Sequence, residues 1–260
     1  MDKIWRCDCA DGPLVATAIH AGAEVRYDVR SRMVLERSMR YREEDPFTGD
    51  WAFMAPTRVV GLRSRFEVDL NRPREQAVYR LPENCWGLKV YEDELPDSEI
   101  AKSLKEYDDF YAMLGELYKK QAETYGHFVV FDLHNYNYRR RGPRGPAAPV
   151  SDNPQVNIGT GTMQNRAQWG GIIDRFIHDL SVYDFPGGAL DVRENVKFCG
   201  GEHPRWAHEK FSNSCCMLSV EVKKFFMDEW SGQPRMSLVK AVGDALESTV
   251  PGVLEELDKL

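Results

Sequence analysis

Runs of apolar residues that end in polar side chains predict the buried strands of a sheet. Residues 128–131 are apolar and lead to His134, and residues 14–19 are mostly apolar and end at His20. Residues 216–222 form a third, largely apolar run. In open α/β sheets, ligands bind in the crevice beyond the carboxyl ends of the strands. The side chains that follow these runs are therefore candidates for a functional site.

Segments with helical spacing alternate with the apolar runs. The clearest helix has Asp97 as its expected N-cap and ends at Gly126. Further elements are expected as follows: a helix over 30–44, strands over 58–70 and 155–158, a loop over 139–154, and helices over 164–182 and from 236 to the C-terminus, with a break near Pro251. Strands that alternate with long helices predict a largely parallel α/β sheet.

The charge balance disfavours a nucleic-acid binder. The chain has 260 residues, which suits one α/β domain or two small ones, and its net charge is -7. Basic residues nevertheless cluster over 63–74 and 139–144, which suits a small anionic ligand. An alternative is phosphate or RNA binding by the second cluster, with Tyr136 and Tyr138 as stacking faces. The overall acidity counts against that alternative.

Membrane insertion and secretion have no support in the sequence. No apolar stretch approaches the roughly 20 residues of a membrane span. Residues 1–5 lack the features of a secretory signal, and the six cysteines form no Cys-x-x-Cys pair. We therefore expect a cytoplasmic protein with reduced thiols.

Two histidines at strand ends suggest a metal site. His20 and His134 occupy equivalent positions after their strands, and imidazole is a common zinc ligand. A catalytic zinc site usually has three protein ligands and an open position, so a third ligand is needed. The candidates are the carboxylates of Glu24, Glu44 and Asp45, and the sequence leaves the choice between the last two open.

Glu221 is a carboxylate within an apolar strand. An unpaired buried charge is costly, so Glu221 is expected to meet a partner or a metal-bound water, for which it would be the general base. The alternative is a strand residue that faces outward. Arginines are the candidates for binding substrate carboxylates, and they are Arg63, Arg65, Arg72, Arg139, Arg140 and Arg205.

Motifs spread over residues 13–230 resemble those of the N-formylglutamate amidohydrolase family. The most specific is the stretch 64–73, which is similar to the family's Ser-Arg…Asp-Leu-Asn-Arg signature. Other matching stretches are the His-Ala-Gly of 20–22, the acidic segment 42–48, Asp132 to Tyr136, the Asn-Ile-Gly-Thr of 157–160, the Asn…Gly-Gly…Arg of 195–205 and the Ser-Val-Glu-Val of 219–222. Cys199 departs from the pattern, because family members often carry lysine there. The loop 139–144 is a candidate source of a replacement cation.

The resemblance implies a fold and a reaction. The fold would be a three-layer α/β/α sandwich with a mixed, mostly parallel sheet, similar to zinc carboxypeptidases, in a single catalytic domain over 1–260. The reaction would be hydrolysis of an N-acyl acidic amino acid, for example an N-formyl one, with one Zn²⁺ per chain. His20, His134 and either Glu44 or Asp45 would hold the zinc, and Glu221 would be the general base. The residues that would grip the substrate or stabilise the oxyanion are Arg65, Asn71, Arg72, Asn195 and Arg205, and the arginine-rich loop adds Arg139.

Two other functions remain open at this point. The scaffold could be a non-catalytic binder of small anions in which the arginines act without metal. It could also be a peptidase that uses the same site. The peptidase would act on a C-terminal or cell-wall peptide. The partner expected for the leading function is a small anionic N-acyl amino acid, with no nucleic-acid or membrane partner.

Overall fold

Seven strands form one mixed sheet in the order β1-β3-β2-β4-β7-β5-β6 in the computed structural model, which describes residues 3–260. The strands are β1 (Trp5–Asp8), β2 (Leu14–Ala18), β3 (Thr57–Gly61), β4 (Phe128–Tyr136), β5 (Val156–Gly159), β6 (Val192–Glu194) and β7 (Cys215–Lys223). Met1 and Asp2, which begin the segment considered for a secretory signal, lie outside the described residues.

The four central strands run in parallel. β2 pairs in parallel with β3 and with β4, and β4 pairs in parallel with β7. β5 and β6 are parallel to each other, whereas β1 is antiparallel to β3 and β5 is antiparallel to β7. The carboxyl ends of β2, β3, β4 and β7 therefore meet at one edge of the sheet, where the predicted functional side chains follow them.

Helices cover both faces of the sheet. The α-helices are α1 (Tyr27–Arg30), α2 (Arg37–Glu43), α3 (Thr48–Trp51), α4 (Asp97–Tyr125), α5 (Gly170–Val182), α6 (Glu202–Lys210), α7 (Met236–Ser248) and α8 (Val250–Leu257). Short 3-10 turns lie at Ala52–Met54, Arg74–Gln76, Pro82–Asn84, Val150–Asp152 and Arg166–Trp169. One apolar core joins the sheet to α3, α5, α7 and α8, and a second joins it to α4 and α6.

Alternation along β4 explains the two cores. Val129, Phe131 and Leu133 belong to the core under α5, while Phe128 and Val130 belong to the core under α4. Successive strand residues point to opposite faces, so a strand that is apolar throughout must be covered on both. The predicted three-layer α/β/α sandwich with a mixed, mostly parallel sheet is confirmed.

Three predicted elements differ from the structure. The strand expected over 58–70 ends at Gly61, because the chain beyond it forms local turn hydrogen bonds, such as that from the amide of Glu67 to the carbonyl of Ser64 at 3.0 Å, in place of strand pairing. Of the helix expected over 30–44, α2 and the last residue of α1 are helical, whereas residues 31–36 are not. Asp97 is the first residue of α4 rather than its cap, and Pro96 occupies the N-cap position without a side-chain hydrogen bond.

The remaining elements lie close to their expected places. The predicted helix over 164–182 consists of a 3-10 turn followed by α5, and the predicted break near Pro251 separates α7 from α8. Within residues 3–260, no helix combines the length and the hydropathy that a membrane crossing needs.

The turn after β2 depends on a glycine. A Cβ atom at Gly22 would overlap the backbone of Leu62, which cannot move away like a flexible side chain. We predict that Gly22→Ala lowers the free energy of unfolding by about 2–3 kcal/mol, measured by urea denaturation. Gly49→Ala is the control, because its Cβ would meet the Val60 side chain at 3.2 Å, which can shift. Equal stabilities of the two variants would contradict the assigned backbone contact.

Candidate active site

Three side chains converge at the carboxyl edge of the sheet. His20 lies just beyond β2, His134 lies within β4, and Asp45 follows α2; potential metal-binding atoms of all three lie within 4.8 Å of one another. Asp45 Oδ2 is 2.9 Å from Nδ1 of His134 and 3.4 Å from Nδ1 of His20. The backbone amide of Asp45 also donates to the carbonyl of His20 at 3.0 Å, which fixes the two segments to each other.

Each imidazole contacts a second buried carboxylate through its other nitrogen. Nε2 of His20 lies 2.7 Å from Asp69 Oδ1, and Nε2 of His134 lies 3.0 Å from Asp132 Oδ2. Burial opposes ionisation, but nearby positive charges and hydrogen bonds keep the pKa of both Asp69 and Asp132 well below its usual range. An ionised carboxylate can only accept hydrogen bonds. The Nε2 atoms are therefore the protonated ones, and both Nδ1 lone pairs are directed towards Asp45.

This arrangement fits a cation. His20 Nδ1 is buried and has no hydrogen-bond partner within residues 3–260. Two imidazole lone pairs and a carboxylate that face one another repel unless a proton or a metal ion lies between them. Carboxylates that orient metal-binding histidines through the second ring nitrogen are a common feature of metal sites. The three residues have the chemistry of a divalent-metal site.

The charges around these three residues also favour a bound metal ion. Burial lowers the pKa of His134, but the charge of Asp132 and hydrogen bonds to Asp132 and Asp45 raise it well above the ordinary value. The site therefore holds more negative charge than its neutral imidazoles balance. A metal ion can supply that positive charge in place of a proton.

Further buried groups hold the two orienting carboxylates. Asp132 Oδ1 accepts a hydrogen bond from Thr17 Oγ1 at 2.7 Å and lies 3.1 Å from Nδ1 of His203. Nε2 of His203 in turn lies 3.0 Å from the hydroxyl of Tyr118. The sequence alone does not assign a role to Asp132 or His203. The spacing of Asp132 and His134 was the available signal, because strand residues two apart share a face.

Asp69 is held in a similar way. Its Oδ2 accepts hydrogen bonds from Arg65 Nη2 at 2.9 Å and from the hydroxyl of Tyr79. Its Oδ1 accepts one from the backbone amide of Asn71 at 2.8 Å. The stretch 64–73, the most specific motif of the sequence, therefore folds around the carboxylate of Asp69. This carboxylate contacts both His20 and residues that line the neighbouring cavity.

A cavity of about 480 Å³ opens beside the three converging residues. Its lining is polar and aromatic, and it consists of His20, Glu43, Asp45, Arg65, Asn71, Arg72, Trp86, His134, Asn135, Tyr136, Asn137, Arg140, Lys197, Phe198, Cys199, Gly200, Gly201, Glu221 and Lys224. A volume of this size is typical of sites for small molecules.

Glu221 lies on β7 directly across from His134 on β4, in register. It is partly buried, lines the cavity and is not hydrogen-bonded through its carboxyl to any residue of 3–260. Burial raises the pKa of Glu221 to about 7, with the charges of Asp45 and Asp132 adding to the rise and that of His134 opposing it. A carboxyl group with such a pKa can both accept and release a proton near neutral pH.

The acidic candidates separate clearly in space. Asp45 reaches the two histidines, whereas the buried side chain of Glu44 accepts a hydrogen bond from Ser64 Oγ at 2.5 Å and does not line the cavity. The backbone of Glu44 is extended, so it and the next residue point in opposite directions. Glu24 is exposed.

The basic and amide candidates also divide into two groups. Arg65, Asn71, Arg72 and Arg140 line the cavity together with Glu221. The four others do not line it, and each is engaged elsewhere: Arg63 with Glu106, Arg139 with Asp228, Asn195 with the amides of Thr160 and Gly161, and Arg205 with Glu202.

Lys224, Trp86 and Lys197 are among the cavity residues that the sequence does not single out as candidates. Lys224 is buried, and its ammonium donates to the carbonyls of Arg42 at 2.6 Å and Glu44 at 2.9 Å. Trp86 and Lys197 come from loops with no periodic pattern. Lys224 directly follows β7, whereas Trp86 and Lys197 reach the site only because loops distant in sequence pack against the sheet edge.

Comparisons with known proteins show the family of the chain and its fold. The model of the N-formylglutamate amidohydrolase family matches residues 12–227. The structure is similar to that of N-formylglutamate amidohydrolase from Ralstonia eutropha, with a TM-score of 0.77 and 14% sequence identity over 100% of both chains. A gene product of Agrobacterium tumefaciens is similar with a TM-score of 0.69 and 16% identity, over 99% of this chain and 97% of that chain. None of the curated proteins matches. The two structural likenesses show a shared fold.

The raised pKa of Glu221 predicts a pH-dependent cost of folding. The carboxyl group binds its proton more tightly in the folded state, so its stabilising effect is complete below pH 4.5 and is lost as the pH rises to about 7. In chelator-treated protein, Glu221→Gln should match the parent near pH 4.5 and be more stable by about 2–3 kcal/mol at pH 8. Urea denaturation at both pH values measures this. The exposed Glu116→Gln is the control, and a similar gain there would contradict the assignment.

Proposed function

Because the chain belongs to the N-formylglutamate amidohydrolase family, we propose that it is a zinc-dependent hydrolase of N-acyl acidic amino acids, N-formyl compounds among them. The family makes the chain an amidohydrolase; the metal, the base and the substrate are the proposal. The observation that carries it is the convergence of His20, Asp45 and His134 beside Glu221 in one cavity.

His20, Asp45 and His134 would hold the zinc, which when bound supplies a Lewis acid for the amide carbonyl and lowers the pKa of water. The protein's own contribution is to keep the two imidazoles in a single tautomer and orientation. Asp69 and Asp132 do this by accepting the Nε2 protons. Both hydrogen bonds are buried, so the orientation of the imidazoles does not depend on mobile surface side chains.

Glu221 would move the proton. It would take one from the attacking water as the oxygen bonds to the acyl carbon, and then deliver it to the departing nitrogen as the carbon–nitrogen bond breaks. The products are a carboxylic acid and a free amino acid. The pKa of about 7 suits both halves of this transfer, and no competing hydrogen bond within residues 3–260 occupies the carboxyl group.

Arg72 would bind an anionic part of the substrate, and Arg65 would stabilise charge that develops during the reaction, with Asn71 between them in the sequence. The guanidinium of Arg65 is tied to Asp69 and to the Glu43 carbonyl, which suits stabilisation of charge developing on the substrate. Arg72 lines the cavity and is not in an ion pair with any residue of 3–260, so it is available for the α-carboxylate.

Metal analysis tests the ligand set. We predict about one zinc per chain, retained in Glu44→Gln and lost in His20→Ala, His134→Ala and Asp45→Ala, measured by elemental analysis after dialysis. Glu44→Gln is the matched control because Glu44 is adjacent to Asp45 but bonds Ser64 instead. Loss of zinc in that variant alone, with Asp45→Ala unaffected, would reverse the assignment.

Turnover tests the base. We expect Glu221→Gln to retain zinc and to bind N-formylglutamate, but to lower kcat at least about 100-fold, because the variant cannot accept the proton. Binding is measured by calorimetry and turnover by release of the free amino group. A variant that keeps full turnover would remove Glu221 from the mechanism. A parent that binds zinc and N-acyl amino acids without hydrolysing them would favour the non-catalytic anion binder.

A further inference from the structure

Lys197 is a cation of the cavity for which the reaction has no assigned use. We propose that its ammonium group binds a second anionic group of the substrate and thereby selects N-acyl amino acids with an acidic side chain. This inference rests on the proposed function, which assigns the α-carboxylate to Arg72. It makes Lys197 a specificity-determining residue rather than a part of the hydrolytic machinery.

Most cations of the cavity are already bound to protein groups. Arg65 is tied to Asp69, Arg140 to Glu43, and Lys224 to two backbone carbonyls. Within residues 3–260, the side chains of Arg72 and Lys197 have neither an ion pair nor a hydrogen bond and yet line the cavity. The cavity therefore offers two uncommitted positive charges, which matches two carboxylates on one small ligand.

The ammonium of Lys197 is partly removed from water. It lies 5.3 Å from the ring centroid of Tyr136 and 5.6 Å from that of Phe198, and the residue is only partly exposed. Burial and the positive charge of Arg140 lower the pKa of Lys197. A cation that has lost part of its hydration gains more from an anionic partner than a fully solvated one.

The loop that carries Lys197 is held in place by one buried amide. Asn157 Oδ1 accepts hydrogen bonds from the backbone amides of Val196 at 3.0 Å and Lys197 at 2.8 Å. Asn157 Nδ2 donates to the carbonyl of Phe198 at 2.8 Å. Because Asn157 pairs in register with Glu221, the position of the Lys197 backbone is fixed relative to the general base. A preorganised cation loses less entropy when the ligand binds.

The two free cations also explain how the site would distinguish substrates with an acidic side chain from substrates with a neutral one. A substrate with an acidic side chain would pair both free cations, whereas one with a neutral side chain would leave the ammonium of Lys197 in a less polar site without a partner. Sites that contain a buried, unpaired polar group reject the ligand that fails to satisfy it. The selectivity should therefore appear mainly in KM, because the contact lies away from the bond that is cleaved.

The test compares two substrates on the zinc-loaded enzyme. We expect Lys197→Met to lower kcat/KM for N-formylglutamate about 10- to 100-fold, mostly through KM, and to change the value for N-formylglutamine less than about threefold. Lys197→Arg should restore much of the preference. Lys210→Met is the matched control, because its ammonium also lies over an aromatic ring, 5.4 Å from Trp206, and it does not line the cavity.

The outcomes are distinct. An equal loss for both substrates, or no loss for N-formylglutamate, overturns the inference while leaving the hydrolase intact. If the parent hydrolyses neither compound, the proposed function fails, and calorimetric binding of the same two compounds then decides the role of Lys197. A parent that prefers N-formylglutamate in binding, with the preference lost in Lys197→Met, supports the inference; an unchanged preference overturns it.

Discussion

The candidate site depends on two hydrogen bonds from buried imidazoles to buried carboxylates. Asp69 and Asp132 accept the Nε2 protons of His20 and His134, so the remaining lone pairs face Asp45. Burying so many charged groups is costly unless each is paired. The supporting contacts lie at the carboxyl edge of the sheet or in segments that pack against it. The geometry of the site therefore depends on the folding of the whole domain.

The parallel sheet is what makes this pairing possible. β2, β4 and β7 place His20, His134 and Glu221 at one edge because their carboxyl ends coincide. The strands are apolar on both faces, and helices on each side exclude water from the region below the site. A low local polarity raises the pKa of Glu221 to about 7 and strengthens the electrostatic interactions around it.

The groups that line the cavity come from two different parts of the fold. The metal-binding chemistry comes from strand ends, whereas the recognition groups come from loops such as the segment that carries Lys197. Loops can vary without disturbing the sheet, so recognition can change while the hydrolytic centre stays the same. The clamp by Asn157 shows how such a loop can still be held rigidly, because its amide bonds three successive backbone groups of residues 196–198.

Local patterns in the sequence predict β2, β4, β5, β7 and the long helix α4, and with them the positions of His20, His134 and Glu221 in or just beyond their strands, because these depend on hydrophobic periodicity within a few residues. They could not separate Asp45 from Glu44, since that choice depends on which way an extended backbone turns two adjacent side chains. Arg139, Asn195 and Arg205 lie off the cavity, and Trp86 and Lys197 line it, for the same reason: contacts between segments far apart in sequence decide which side chains share a cavity. Those contacts form only when the helices and loops pack on the sheet.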